Sequence, residues 1–402
     1  MTPTTPLAEV PNAPSATIAT TTAAAAPSVA PVSSQLVPEK GSPTAHQPDA
    51  STAGHLHDSS PLQTPNEPPA EEEDEEEDEE EDEEEVGYDT DYDSGIGSED
   101  TGSTTTSLAT SVRQYRQENG RTYHSFREGV YAIPNDEYEQ ERLDLQHHLF
   151  LLSFGGKLFF APVKQQIHNC LDIGTGTGIW AIDFADEYPE TQVIGIDLSP
   201  IQPGFVPPNV KFIVDDAEDE WVITEKFELI HVRMMVGSFL DWPQFLGKSY
   251  EQLHPGGFIE LQDVVGLACD DDTFTMNPPS CPLAEWWSLV TQAFGKMGRD
   301  MDAAAKHKER LEEAGFLNVT VMEFKWPVNK WPRDPALRTI GMWSKENTLD
   351  ALEALAMAPL TRVLEWTPEE VHMLLQGVRT DIENEGIHAY WSILAVYGQK
   401  PW

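Results

Sequence analysis

Asn169-Cys-Leu-Asp-Ile-Gly-Thr-Gly-Thr-Gly-Ile-Trp180 reads as a buried strand that breaks into a glycine turn and then opens a helix. Ile167, Cys170, Leu171 and Ile173 form the apolar run of the strand. Gly174, Gly176 and Gly178 form the turn, and Trp180, Ala181, Phe184 and Ala185 recur behind it at helical spacing. Side chains at such glycines would keep a ligand off the backbone. The helix start points its free N–H groups at the same spot. The spacing separates two kinds of nucleotide site. A dinucleotide turn reads G-x-G-x-x-G. Here the third glycine falls one residue early, and Ile179 stands where that pattern needs it. The run is D-x-G-x-G-x-G, led by Asp172. A carboxylate there suits a ligand with an ammonium group and would repel a pyrophosphate. This argues against a dinucleotide oxidoreductase.

Val193-Ile-Gly-Ile-Asp197 is a second short strand ending in an acid. Asp197 lies about as far past the glycines as the acid that takes ribose hydroxyls in βαβ units. Together the two stretches resemble motif I and its neighbour in the class I S-adenosylmethionine methyltransferases. The resemblance implies a doubly wound, Rossmann-like α/β fold with a seven-stranded sheet, and S-adenosylmethionine as cofactor. It also implies cofactor contacts at Asp172, Gly174, Gly176, Gly178, Asp197 and Leu198. Val210 to Val214 reads as a third strand, ending at Asp215-Asp216-Ala217. In methyltransferases that resemble this chain, the acid after that strand reaches the adenine amino group and a small neighbour admits the ring. Asp216 with Ala217 is favoured, and Asp215 is the other candidate; an Asx turn would explain the same residues structurally.

A closer resemblance rests on a series of segments. Glu118-Asn-Gly-Arg-Thr-Tyr-His124, Leu143-Asp-Leu-Gln-His-His-Leu149, the glycine turn and Asp197-Leu-Ser-Pro-Ile-Gln202 stand in this order. Pro207-Pro-Asn-Val210, Val214-Asp-Asp-Ala-Glu218 and Val232-Arg-Met-Met-Val-Gly-Ser238 follow. The set, over roughly residues 112–402, is similar to the fungal LaeA-like methyltransferases, whose name-giving members regulate secondary metabolism. Acceptors in that family are mostly unassigned. The resemblance therefore implies methyl transfer to an unknown small molecule or protein. Its alternative is a non-catalytic regulatory partner that binds the cofactor within a nuclear, velvet-type complex.

The two ends of the 402-residue chain differ in composition. Residues 1–100 hold 25 acids and one base, Lys40, and so account for −24 of the formal −44. Residues 1–70 are rich in Pro, Ala, Thr and Ser and offer too little apolar surface to offset ordering entropy. Every residue from Glu71 to Glu85 is acidic. Such a run repels itself, and it serves as a solvated spacer or docks a basic protein. Its field disfavours nucleic acid and anionic membrane. Ser94 and Ser98 stand among acids, as candidates for phosphorylation or as plain linker. No apolar run suggests a membrane span or a secretory leader. Cys170, Cys269 and Cys281 have no metal or redox spacing. Nucleus or cytoplasm is the expected compartment.

The expected organisation is a disordered tail over 1–111 and a methyltransferase domain over 112–402. The domain divides into an arm and cover helix (112–165), a cofactor core (166–330), a helical cap insert (331–385) and a closing strand (386–402). Asn135 is the expected N-cap of the cover helix, on which His147 and His148 are surface or cover residues. Phe227 to Val232 is the fourth strand, and His231 and Arg233 near its end are the best-placed polar candidates for catalysis. His254-Pro-Gly-Gly257 reads as a turn before a fifth strand over 258–263, where Glu260, Gln262 and Asp263 are candidates for the substrate side. Thr367-Pro-Glu-Glu370 is a helix start. Trp286, Trp287, Trp326 and Trp343 fall in or near cap segments. No metal site is expected.

Overall fold

The computed structural model describes residues 116–123 and 133–402. The tail over 1–111, its acidic run, Ser94 and Ser98, and much of the expected arm lie outside the described residues. The elements run β1 (Arg116–Glu118), β2 (Arg121–Tyr123), α1 (Glu137–Ser153), β3 (Asn169–Ile173) and α2 (Ile179–Glu187). Next come β4 (Gln192–Asp197), β5 (Val210–Val214), β6 (Phe227–Arg233), α3 (Trp242–Gln252) and β7 (Leu253–Ala268). Then follow α4 (Pro282–Lys296), a 3₁₀ turn (Ala303–Lys306), α5 (His307–Glu313), β8 (Leu317–Pro327), α6 (Pro335–Val363), α7 (Pro368–Glu383) and β9 (Tyr390–Gln399).

Seven strands form one sheet in the order β5-β4-β3-β6-β7-β9-β8. The first five are parallel, and β9 runs antiparallel between β7 and β8. The chain winds outward from β3 to β5, then returns to place β6 on the other side of β3. Ligand sites in doubly wound sheets open at such a reversal. β3 and β6 are nearly continuous apolar runs because both faces of the sheet are covered. Alternate residues serve opposite layers. Cys170, Leu229 and Phe258 pack with Trp180 and Phe184. Leu171, Ile173, Ile230 and Val232 join the larger core on the other face.

Four local features differ from expectation. Asp136, not Asn135, caps α1: its side chain accepts from the Glu139 N–H. Asp136 also holds Arg121 of the β1–β2 hairpin, while Asn135 is buried and its amide reaches the Ser199 hydroxyl. His254-Pro-Gly-Gly257 is not a turn outside the sheet. It is a bulge inside β7, where Phe227 and Leu229 of β6 face Leu253 and Phe258. β7 also runs on to Ala268, well past Asp263. Finally, α4 has no counterpart among the expected helices. Pro at its start and a run of buried Leu283, Trp286, Trp287, Val290 and Phe294 make it a helix, and it packs against α6 and α7. The capping box at Thr367 and Glu370 forms as expected.

Candidate functional site

A cavity of about 230 Å³ lies at the carboxyl ends of the parallel strands. Its floor is made of the residues that follow each strand: Gly174 and Gly176 after β3, Asp197 and Leu198 after β4, Asp215, Asp216 and Ala217 after β5, and Arg233 to Val236 around the end of β6. Of the proposed cofactor residues, Asp172 and Gly178 do not line it.

The three turn glycines have left-handed φ but different surroundings. A Cβ on Gly176 (φ +57°) would meet only Leu143 Cδ1, at 3.4 Å, so this backbone is open to close approach. A Cβ on Gly178 (φ +83°) would lie 2.4 Å from the Phe212 ring. That glycine serves packing of the turn on β5 rather than a ligand.

Asp172 is likewise a correction. It is buried, and both carboxylate oxygens are occupied: Thr175 Oγ1 donates to one at 2.6 Å, and His231 Nδ1 lies 2.7 Å from the other. The acid that leads the motif therefore holds the turn and β6 together and does not face a ligand's ammonium. The strand register puts Asp172 directly beside His231. His231 is fully buried, and its ring stacks on Trp180 with centroids 3.6 Å apart and planes 3° from parallel. It does not line the cavity, which removes it as a catalytic candidate. Glu260, Gln262 and Asp263 also fail to reach the cavity. Glu260 accepts from the Phe160 and Ala161 N–H groups, and Gln262 donates to Glu260 and to the Leu158 carbonyl. Asp263 is paired with His307 and accepts from the Val236 N–H. Burial raises the Glu260 carboxyl above its ordinary value, against those hydrogen bonds.

Asp197 lines the cavity and is held by two backbone donors, Gly176 N–H and Ser199 N–H, each at 2.9 Å. Asp215 and Asp216 both line it. Asp215 accepts the Asp216 N–H, and Asp216 accepts the Glu218 N–H as in an Asx turn.

Arg233 is half-buried at the cavity wall. Its Nη1 donates to His147 Nδ1 at 3.0 Å, and its guanidinium carbon sits 5.0 Å from the Phe150 ring centroid. Desolvation lowers its pKa to about 10, which leaves it cationic at neutral pH. His147 is buried on α1, and because Nδ1 accepts from Arg233, its Nε2–H donates to Asp183 of α2 at 2.9 Å. Burial depresses the His147 pKa, with Asp183 opposing and Arg233 reinforcing. The folded chain thus takes up this proton less readily than the unfolded chain. The term is absent above about pH 6.5 and subtracts stability as pH falls below it. Thermal melts at pH 7.5 and 5.5 are expected to show a larger loss for wild type than for His147→Gln.

Much of the wall comes from distant parts of the chain. Asn135, Glu139, Arg142, Leu143 and Gln146 come from α1 and the segment before it, and Asn347, Thr348, Ala351 and Leu355 from α6. Arg142 forks onto Glu139 and reaches Asn347 Oδ1 at 2.9 Å, tying the two helices. Trp286, Trp287 and Trp326 line the cavity, joined by Trp391 of β9. Trp343 instead packs edge-on against His148. Only Leu143 and Gln146 carried a local signal, through their place in a family segment. Among the described residues no group of three His, Cys, Asp or Glu side chains could hold a metal ion, and no helix is long and apolar enough to cross a membrane.

Residues 145–321 match the methyltransferase domain family. The chain is 42% identical over 306 residues to "Methyltransferase pytC" of Aspergillus terreus, covering 76% of this chain and 94% of that protein. It is 40% identical over 292 residues to "Secondary metabolism regulator LAE1" of Cochliobolus heterostrophus, covering 71% and 94%. It is 35% identical over 294 residues to "Protein-methionine methyltransferase laeA" of Emericella nidulans, covering 72% and 77%.

Proposed function

The chain belongs to the fungal LaeA-like family of S-adenosylmethionine-dependent methyltransferases, and from that premise we propose how its residues serve the reaction. The cofactor lies across the carboxyl ends of β3 to β6. Gly176, where an added Cβ would meet only Leu143 Cδ1, lets a ligand approach the backbone closely, while Gly174 beside it packs against Met235 on the same cavity floor. Asp197, already aimed by two N–H groups, takes the ribose hydroxyls. Asp215 or Asp216 takes the adenine amino group, with Ala217 making room for the ring and Leu198 covering it. The single observation that carries this reading is the open Gly176 backbone beside a fixed Asp197, both on the cavity wall.

The cofactor supplies a methyl group already activated on a sulfonium. The protein's task is then to align an acceptor and keep water out. Trp286, Trp287, Trp326 and Trp391 make the far wall aromatic. Such a wall suits a soft acceptor, because thioether sulfur packs favourably against aromatic rings. A protein methionine fits this description, and one relative carries that activity in its name; a small apolar molecule fits it as well. Helices α4, α6 and α7 form the cap over that wall. The acidic run from Glu71 to Glu85 favours a second role, docking of a basic protein partner, in the nucleus or cytoplasm.

Incubating an extract with methyl-labelled S-adenosylmethionine and the purified protein, then separating protein from small molecules, tests the reading. Label is expected in one fraction, and its location gives the acceptor class. Calorimetric binding of the cofactor with label in neither fraction would shift the role to a regulatory partner.

A further inference from the structure

The cavity floor is electrically graded along the sheet edge. Asp215 and Asp216 follow β5, Asp197 follows β4, the glycine turn follows β3, and Arg233 ends β6. These are four neighbouring strands in that order. Three inter-strand spacings amount to about 14 Å, the scale of an elongated nucleoside–amino acid conjugate. Ile173 pairs with Val232, so Arg233 lies next to Gly174, at the end of the row away from the acids.

Arg233 also has donors to spare. A guanidinium carries five N–H bonds. Among the described residues the hydrogen bond shown for it is the one to His147 Nδ1, which is neutral as an acceptor. The other two arginines of the wall are differently placed. Arg142 is forked onto the Glu139 carboxylate, and Arg299 donates to the Ser238 carbonyl. Phe150 lies against the Arg233 guanidinium and His147 holds one edge, so the remaining edge is presented in a set orientation.

We propose that Arg233 is the subsite for the carboxylate of the cofactor's amino-acid tail, binding it by a charge-assisted fork beside the glycine turn. The assignment rests on reading the cavity as the S-adenosylmethionine site. It gives the anionic end of the ligand the place farthest from Asp215 and Asp216. It also accounts for a cation held at the wall without a protein carboxylate in hydrogen-bond contact. Arg233 is then a binding and positioning residue, since it does not need to touch the transferred methyl.

The test is a comparison of ligands that differ only in that carboxylate. Wild type, Arg233→Met and Arg233→Gln are titrated calorimetrically, as full chains, with S-adenosylmethionine and with its decarboxylated form. Wild type is expected to prefer the carboxylated ligand by about tenfold or more, the size of a charge-assisted hydrogen bond. In both variants the preference should fall to within about threefold, while affinity for the decarboxylated ligand stays near the wild-type value. That retained affinity also shows that the variant is folded. If Arg233→Met does not fold, Arg233→Gln, which keeps a donor for His147, decides alone. A variant that keeps the wild-type preference overturns the assignment. Absence of binding of either ligand to wild type would instead overturn the reading of the cavity.

Discussion

Arginine in place of Gly176 is expected to abolish S-adenosylmethionine binding while leaving the domain folded. The glycine sits at φ +57°, and a Cβ there would touch only Leu143 Cδ1. A non-glycine residue at such a φ costs about 1–2 kcal/mol, which a domain with this much core should tolerate. The rest of the side chain projects into the space that the cofactor needs. Calorimetry should show no heat of binding, and the melting temperature should fall only by a few degrees. The same variant separates the two roles in the native cell. If it is stable, keeps its partners and restores a deletion strain fully, cofactor use is dispensable. If it keeps its partners yet behaves as the deletion, methyl transfer is the leading explanation.

Asp172→Ala should do the reverse and act mainly on stability. The carboxylate is buried with His231 on one oxygen and Thr175 on the other. Removing the carboxylate leaves two buried donors without their acceptor, at a cost of about 1–3 kcal/mol each. The partners cannot turn to water, because His231 is fully enclosed against Trp180. Urea unfolding should show the loss directly. A full-sized drop in cofactor affinity with unchanged unfolding would restore Asp172 to the role of ligand contact. Asp172→Asn should lie between, since the amide keeps an acceptor for Thr175.

These two positions show how far the residues alone could be read. The D-x-G-x-G-x-G run and the Val193–Asp197 strand located the sheet, the turn and the cavity, because a local pattern of strand, turn and helix start is written in adjacent residues. The division of labour within the run was not legible. Gly178 faces Phe212 and Asp172 faces His231, and those partners arrive through strand pairing, which no local spacing reveals. The same holds for Glu260, whose position near a strand exit suggested the substrate side. The loop over 158–161 folds back and occupies it instead. The α1 and α6 wall was hidden for a related reason: Arg142 and Asn347 are contiguous only after the helices dock. For α4, the local signal is the spacing of Trp286 and Trp287 with Leu283, Val290 and Phe294, which marks an amphipathic helix.

The placement of β9 also bears on how the chain is made. β8 has a single neighbour in the sheet, and that neighbour is β9, which is translated after α6 and α7. While the ribosome is still adding those helices, β8 has no strand to pair with, and the far edge of β7 stays open. Unpaired strand edges are sticky in nascent chains. The glycine-turn half of the sheet, β3 to β6, is complete much earlier. The cofactor floor thus assembles before the edge closes, and early cofactor capture would strengthen a half-built sheet during its most aggregation-prone interval. A message truncated before Tyr390 would yield a chain that holds the floor but never closes the edge, and its fate would be decided by quality control rather than by loss of the site.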